Sequence, residues 1–195
     1  MAVVQHQEAA ELTFRIEPLA LSHDRAAFSC REQLLTDYIT GDKAWRDATQ
    51  RNASVYCLID DTAAVKGYYT LSVGSIARDS IARALYGAKW QDKRSDKFKV
   101  FERFPYPAIG VIVLGRIAID TSLAGRKIGS RLIGHALRAA VALSEKAGAR
   151  LVYLDAKNEA LVKMYEAIGF QSLPDNPLTM FILIDTLVSA ASQTN

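Results

Sequence analysis

Two hydrophobic rhythms alternate along the chain. Leu12, Phe14 and Ile16 alternate with Thr13, Arg15 and Glu17, the period of a half-buried strand, and Pro18 closes the run because proline cannot donate to a ladder. Ser22 is placed to cap a helical turn. The stretches "REQLLTDYI" and "KAWRDATQR" then predict two amphipathic helices separated by Gly41. "SVYCLID" and "VKGYYTLSV" are rich in β-branched and aromatic residues and read as a hairpin turning at 60–64. From 79 to 107 the pattern is irregular, apart from one short helix near 82–85.

"IGVIVLGRIAID" is nearly unbroken in apolar character, which suits a central strand covered on both faces. Over 128–147, Ile128, Leu132, Ile133, Ala136, Leu137, Ala140 and Val141 recur every three or four residues, so a long helix lays one face on a sheet. "RLVYLDA" reads as another buried strand, 158–168 as a helix stopping near Gly169, "LTMFILIDTL" as a last strand, and "SAASQTN" as a frayed tail. The succession predicts an α/β fold with helices covering a mixed sheet. It forms a single domain over 1–195, with its core at about 13–187 and tails at 1–11 and 188–195.

Composition narrows the class. Half of the 195 residues are hydrophobic and 23% are charged, a globular balance. No apolar run reaches the ~20 residues that span a bilayer. The opening "MAVVQHQEAAEL" lacks the basic and long apolar regions of a secretory signal. A cytoplasmic protein is expected, with Cys30 and Cys57 as buried thiols or, as the minor alternative, one bridge. No metal site is expected, since His6, His23 and His135 are scattered. The net charge of +3 is unevenly spread: between 83 and 103 lie seven bases and three acids, interleaved with Trp90, Phe98 and Phe101. This suits a nucleic-acid surface, or else a loop kept soluble by charge.

The loop in "DTSLAGRKIGSRLIG" carries the most chemistry. A helix beginning near Ile128 leaves its first backbone N–H groups unpartnered at an electropositive end. Gly125 and Gly129 allow close approach, and Arg126, Lys127, Arg131 and Ser130 add cations and a hydroxyl. Together these suit a pyrophosphate; the alternative is a tight turn with close helix packing.

"LGRIAID", "LAGRKIGSRLIGHAL" and "LVYLDAKNEALVKMYEAIGF" together resemble the GNAT superfamily of N-acetyltransferases, over roughly 14–187. "AFSC…LLTDYI", "VKGYYTLSVGSI" and "YPAIGVIVLGRIAID" are similar to the toxin acetyltransferases of bacterial toxin–antitoxin pairs, which acetylate the α-amine of aminoacyl-tRNA and so block translation. The resemblance implies a mostly antiparallel sheet with splayed middle strands and acetyl-CoA as donor. It implies main-chain pairing of Ile117, Ala118 and Ile119 with the pantetheine arm, and N–H groups around Arg126, Lys127, Ile128, Gly129 and Ser130 cradling the pyrophosphate. Asn158 would bond the cofactor, and Tyr165 would protonate the departing thiolate. It also implies a ribbon-helix-helix antitoxin, and such toxins are often dimers. One departure stands out: the family loop runs Gln/Arg-x-x-Gly-x-Gly/Ala, whereas Ala124 and Lys127 occupy its polar and first glycine positions here.

Each role has a plainer alternative. Tyr165 could be a core tyrosine bonded to a carbonyl, Asn158 only a helix cap, and Arg116 half of an ion pair. Arg116, Lys89, Lys93, Arg94, Lys97 and Lys99 are the candidates for tRNA phosphates. The strand segment 111–119 holds no carboxylate, with Glu102 and Asp120 the nearest in sequence. A missing base favours an α-amine near pKa ~7.7–8.0 over a lysine amine near ~10.4. The alternatives to a tRNA-directed toxin are an acetyltransferase for a small amine or a peptide N-terminus, and a catalytically silent CoA-binding module.

Overall fold

The computed structural model describes residues 13–87 and 104–192. The strands are β1 (Arg15–Pro18), β2 (Ser54–Ile59), β3 (Val65–Ala77), β4 (Ala108–Ile119), β5 (Leu151–Asp155), β6 (Gln171–Leu173) and β7 (Asn176–Leu183). They make one sheet in the order β1-β2-β3-β4-β5-β7-β6. Every pairing is antiparallel except β4 with β5. The helices are α1 (Gln33–Thr40), α2 (Asp42–Thr49), α3 (Arg78–Tyr86), α4 (Ile128–Ala147), α5 (Glu159–Glu166) and α6 (Ile184–Ser192).

Strand alternation sorts the side chains into two layers. Tyr69, Leu71, Ile112, Leu114 and Val152 face α4, whose Leu132, Ile133, Ala136 and Ala140 are buried against them along with Tyr165 of α5. Cys57, Ile59, Val65 and Tyr68 face the opposite way, onto Phe28, Tyr38, Ile39 and Ala44. Further along that second face, Ile81 packs with Ile109, Leu151 and Phe181.

The middle of the sheet is opened by two features. β4 pairs with β3 over its length, but the register slips between Thr70 and Leu71 and leaves Gly115 as the extra residue of a bulge. A β-carbon at Gly115 would come within 3.1 Å of the Thr70 hydroxyl. On its other edge β4 pairs with β5 only at Val111, Ile112 and Val113. Beyond them residues 114–119 and 154–155 diverge, and a cleft opens between the strands.

Several expectations change. The turn at Ser22 is not a helix, and the helix expected near 82–85 spans Arg78–Tyr86. The last strand ends at Leu183; residues 184–192, expected as strand end and frayed tail, are α6. Its Ile184 is buried, its Leu187 packs on the main core, and the Ile184 N–H donates to the Arg150 carbonyl. These tertiary contacts override the strand propensity of "ILIDTLV". The tail 1–11 and the basic candidates Lys89, Lys93, Arg94, Lys97 and Lys99 lie outside the described residues.

Candidate active site

The divergence of β4 and β5 produces a cleft of about 820 Å³. Its floor is the outer edge of β4 from Leu114 to Asp120, and one wall is the start of α4. The opposite wall comes from the end of β5 and from α5, and the rim from Cys30, Arg31, Glu32, Leu34 and Leu35 at α1. Of the residues singled out in the sequence, Arg116, Ile117, Ala118, Ile119, Lys127, Ile128, Gly129, Ser130, Asn158 and Tyr165 all line this one space. Arg126 does not: its side chain is exposed outside the lining and its N–H donates to the Leu123 carbonyl. The expected cradle therefore narrows to 127–130.

That cradle fits an anion. α4 carries no side-chain cap and no acid in its first turn, and the N–H groups of Ile128, Gly129 and Ser130, which line the cleft, have no acceptor among the described residues. The chain enters through Gly125 at φ +77° and Lys127 at φ +57°. The position where the family places glycine thus does require a left-handed backbone, and Lys127 adopts it at a cost of about 1 kcal/mol. Its side chain adds a cation to the cradle. At the β4 edge, past Val113, the main chain of 117–119 meets β3 on one side and the cleft on the other. An extended arm lying there would add a strand.

Asn158 is a helix cap that also stands in the cleft. Its Oδ1 accepts from the Leu161 N–H at 3.0 Å, capping α5, while the residue lines the cleft. Tyr165 lies on the inward stripe of α5 with Leu161 and Val162; Ile168, expected as the last residue of that helix, falls beyond it and is exposed. The Tyr165 ring meets Phe170 edge-on at 5.5 Å between centroids, and the residue is 4% exposed. Its hydroxyl makes no hydrogen bond to a described residue, so the carbonyl-bonded core tyrosine is not what the chain builds. Burial raises its pKa, which keeps the phenol protonated and available as an acid.

Arg116 is not half of an ion pair among the described residues. Its guanidinium stacks over the Tyr38 ring at 4.1 Å to the centroid, on the wall of the cleft. Asp120 is a structural group: its carboxylate accepts from the Ser29 N–H at 2.9 Å, the Ser122 N–H at 2.9 Å and the Ser122 hydroxyl at 2.6 Å. Burial alone would raise its pKa, but those bonds hold it below the usual value. Glu102 lies outside the described residues. Cys30 and Cys57 are free thiols; Cys30 is half-buried on the rim, and burial pushes the Cys57 thiol up to about 12.

The cleft also contains groups the sequence reading passed over. Asp155 ends β5 inside it, and Lys157 forms an ion pair with Glu32 across its mouth. An aspartate closing an otherwise apolar strand was the available signal for the first. No pattern signals the second, because its partners lie far apart in the chain.

The acetyltransferase (GNAT) domain family matches residues 52–172. The chain belongs to that family. A tRNA-acetylating toxin of Mycobacterium tuberculosis (strain ATCC 25618 / H37Rv) is 27% identical over 83% of this chain and 86% of its own length. A mutant of the toxin AtaT, bound to the C-terminus of the antitoxin AtaR and acetyl-CoA, matches at TM-score 0.68. It is 25% identical over 89% of this chain and 94% of that one. AtaT complexed with acetyl-methionyl-tRNAfMet shares the fold at TM-score 0.77, at 24% identity over 91% and 99% of the two chains. This GNAT domain is thus an N-acetyltransferase with acetyl-CoA as donor. Among the described residues no helix is long and apolar enough to cross a membrane.

Proposed function

We propose that this GNAT enzyme acetylates the α-amine of an aminoacyl-tRNA and thereby acts as a translation-blocking toxin. The similarity to the tRNA-acetylating toxin over most of both chains carries this reading. The 820 Å³ cleft gives it a mechanism. The 117–119 edge aligns the donor's arm, and the first turn of α4 with Lys127 takes its diphosphate. Asn158 bonds the arm near the divergence of the strands, which holds the thioester under Tyr165. Orientation of this kind supplies much of the rate by making the attack intramolecular in effect. The Tyr165 hydroxyl then donates its proton to the sulfur as the C–S bond breaks.

Arg116 and the bases Lys89, Lys93, Arg94, Lys97 and Lys99 are assigned to tRNA phosphates. The antitoxin bound by AtaT supports an antitoxin as a partner here, and the family resemblance makes it a small ribbon-helix-helix protein. The silent-module alternative fails to explain a buried phenol with no hydrogen-bond partner among the described residues, set in the same cleft as the uncapped start of α4. The deciding experiment is mass spectrometry of tRNA-linked amino acids after incubation with the protein and labelled acetyl-CoA. An acetylated α-amine is expected; label confined to free amines or peptides would replace this reading with the small-amine one.

A further inference from the structure

Acetyl transfer to an amine that arrives as an ammonium moves protons at both ends: sulfur gains one and nitrogen loses two. Tyr165 accounts for the first. For the second, the cleft offers three lining carboxylates, Glu32, Asp120 and Asp155. Two are already committed. Asp120 accepts three hydrogen bonds from Ser29 and Ser122, as described above. Glu32 is ion-paired with Lys157.

Asp155 is different. It ends β5 two residues past Tyr153, the last β5 residue paired with β4, so it stands where the strands have separated. Its Oδ1 accepts from the Thr179 hydroxyl at 2.6 Å and from the Tyr153 hydroxyl at 3.3 Å. Thr179 is 3% exposed and in turn accepts from Asn176 Nδ2 at 2.8 Å, so the anchor is rooted in the core. The second oxygen, Oδ2, has no hydrogen-bond partner among the described residues. One oxygen pinned from behind and the other open, in the cleft that holds Tyr165, is an arrangement suited to a cationic ligand.

We infer that Asp155 receives the acceptor amine, binding it as the ammonium and taking the proton its nitrogen must lose. The ammonium gives one proton to the carboxylate and becomes a neutral amine. The amine nitrogen then forms its bond to the acetyl carbon while the C–S bond breaks and the sulfur leaves with the Tyr165 proton. The nitrogen's second surplus proton restores the Tyr165 hydroxyl, and Asp155 releases its own to solvent. The net products are the amide, free CoA thiol and one proton. The carboxylate overlooked in the sequence therefore comes from β5, not from the strand that lines the donor.

The inference rests on the α-amine acceptor proposed above, and its pH signature separates the two. An enzyme that binds the ammonium uses the form that dominates near neutrality, so wild-type kcat/KM is flat from about pH 6 to 8. Asp155→Asn must wait for neutral amine, so its kcat/KM falls about tenfold per pH unit below the amine's own pKa of ~7.7–8.0. Asp155→Glu restores the flat profile, and all variants bind acetyl-CoA within threefold of wild type. Thr179→Val keeps the carboxylate and removes its anchor. It raises the acceptor KM and leaves the profile flat.

Each variant is assayed by CoA thiol release with bulk aminoacyl-tRNA and, separately, with methionine amide. An Asp155→Asn profile parallel to wild type at every pH would overturn the inference, as would an unchanged acceptor KM in Thr179→Val. Wild-type activity on the amide but not on tRNA would refute the tRNA reading, with Asp155 still decided by the amide profile.

Discussion

Removing the hydroxyl of Tyr165 separates chemistry from folding more cleanly than any other change in this chain. Tyr165→Phe keeps the ring against Phe170 and the burial of the α5 stripe. The hydroxyl bonds to no described residue, so its loss leaves no partner among them unsatisfied. Stability should therefore stay within about 0.5 kcal/mol of wild type. The cost falls on turnover. A departing thiolate has a pKa near ~8.5, and a phenol raised by burial above ~10 remains protonated throughout the working range. A positioned acid of this kind contributes about 10²–10³-fold, or roughly 2.7–4.1 kcal/mol of barrier. Thiol release from acetyl-CoA should fall by that factor, while acetyl-CoA affinity by calorimetry stays within about threefold. Turnover within threefold of wild type, at saturating substrates, would remove Tyr165 from the mechanism.

Asn158→Ala should lower stability by about 1 kcal/mol in urea titration and weaken acetyl-CoA binding; Asn158→Asp, also a good cap, should recover the stability alone. Lys127→Gly should change acetyl-CoA affinity less than tenfold, because relief of the left-handed backbone opposes loss of the ammonium; a larger change would mean the cradle is misplaced. Asp120 has a depressed folded-state pKa, so its stabilising contribution is present above the unfolded value near ~3.9 and disappears as pH falls through the lower folded value. Asp120→Asn should flatten the acid limb of a thermal-melt profile below about pH 4. Binding of tRNA should weaken steeply with salt, and Arg116→Ala should reduce the log–log slope by about 1 if it contacts a phosphate; a flat salt response would count against tRNA.

The sequence disclosed the parts of this enzyme that depend on local rhythm. α4 was legible because its apolar stripe runs from Ile128 to Val141, about four turns. The start of α4 and the inward place of Tyr165 on α5 were legible for the same reason, since each holds a fixed position on a periodic element. What was not legible depends on contacts between distant segments. The parting of β4 and β5 after Val113 was carried by the family resemblance alone, because neither it nor the bulge at Gly115 leaves a mark in hydrophobic pattern. β6 spans only three residues, too few to show a period. The first residues of α6 read as strand because β-branched residues favour one, and its end reads as a frayed tail; only the packing of Ile184 and Leu187 decides otherwise. Asp155 stands in the sequence only as the polar end of an apolar strand, and the divergence of β5 from β4 is what brings it into the cleft.

The arrangement of donor, cradle and phenol is tested most directly by a crystal structure of the protein with CoA bound. The account expects the diphosphate at the N–H groups of 128–130, the arm along 117–119, and the sulfur within hydrogen-bond reach of the Tyr165 hydroxyl. A diphosphate elsewhere, or a sulfur separated from that hydroxyl by the width of a side chain, would contradict it.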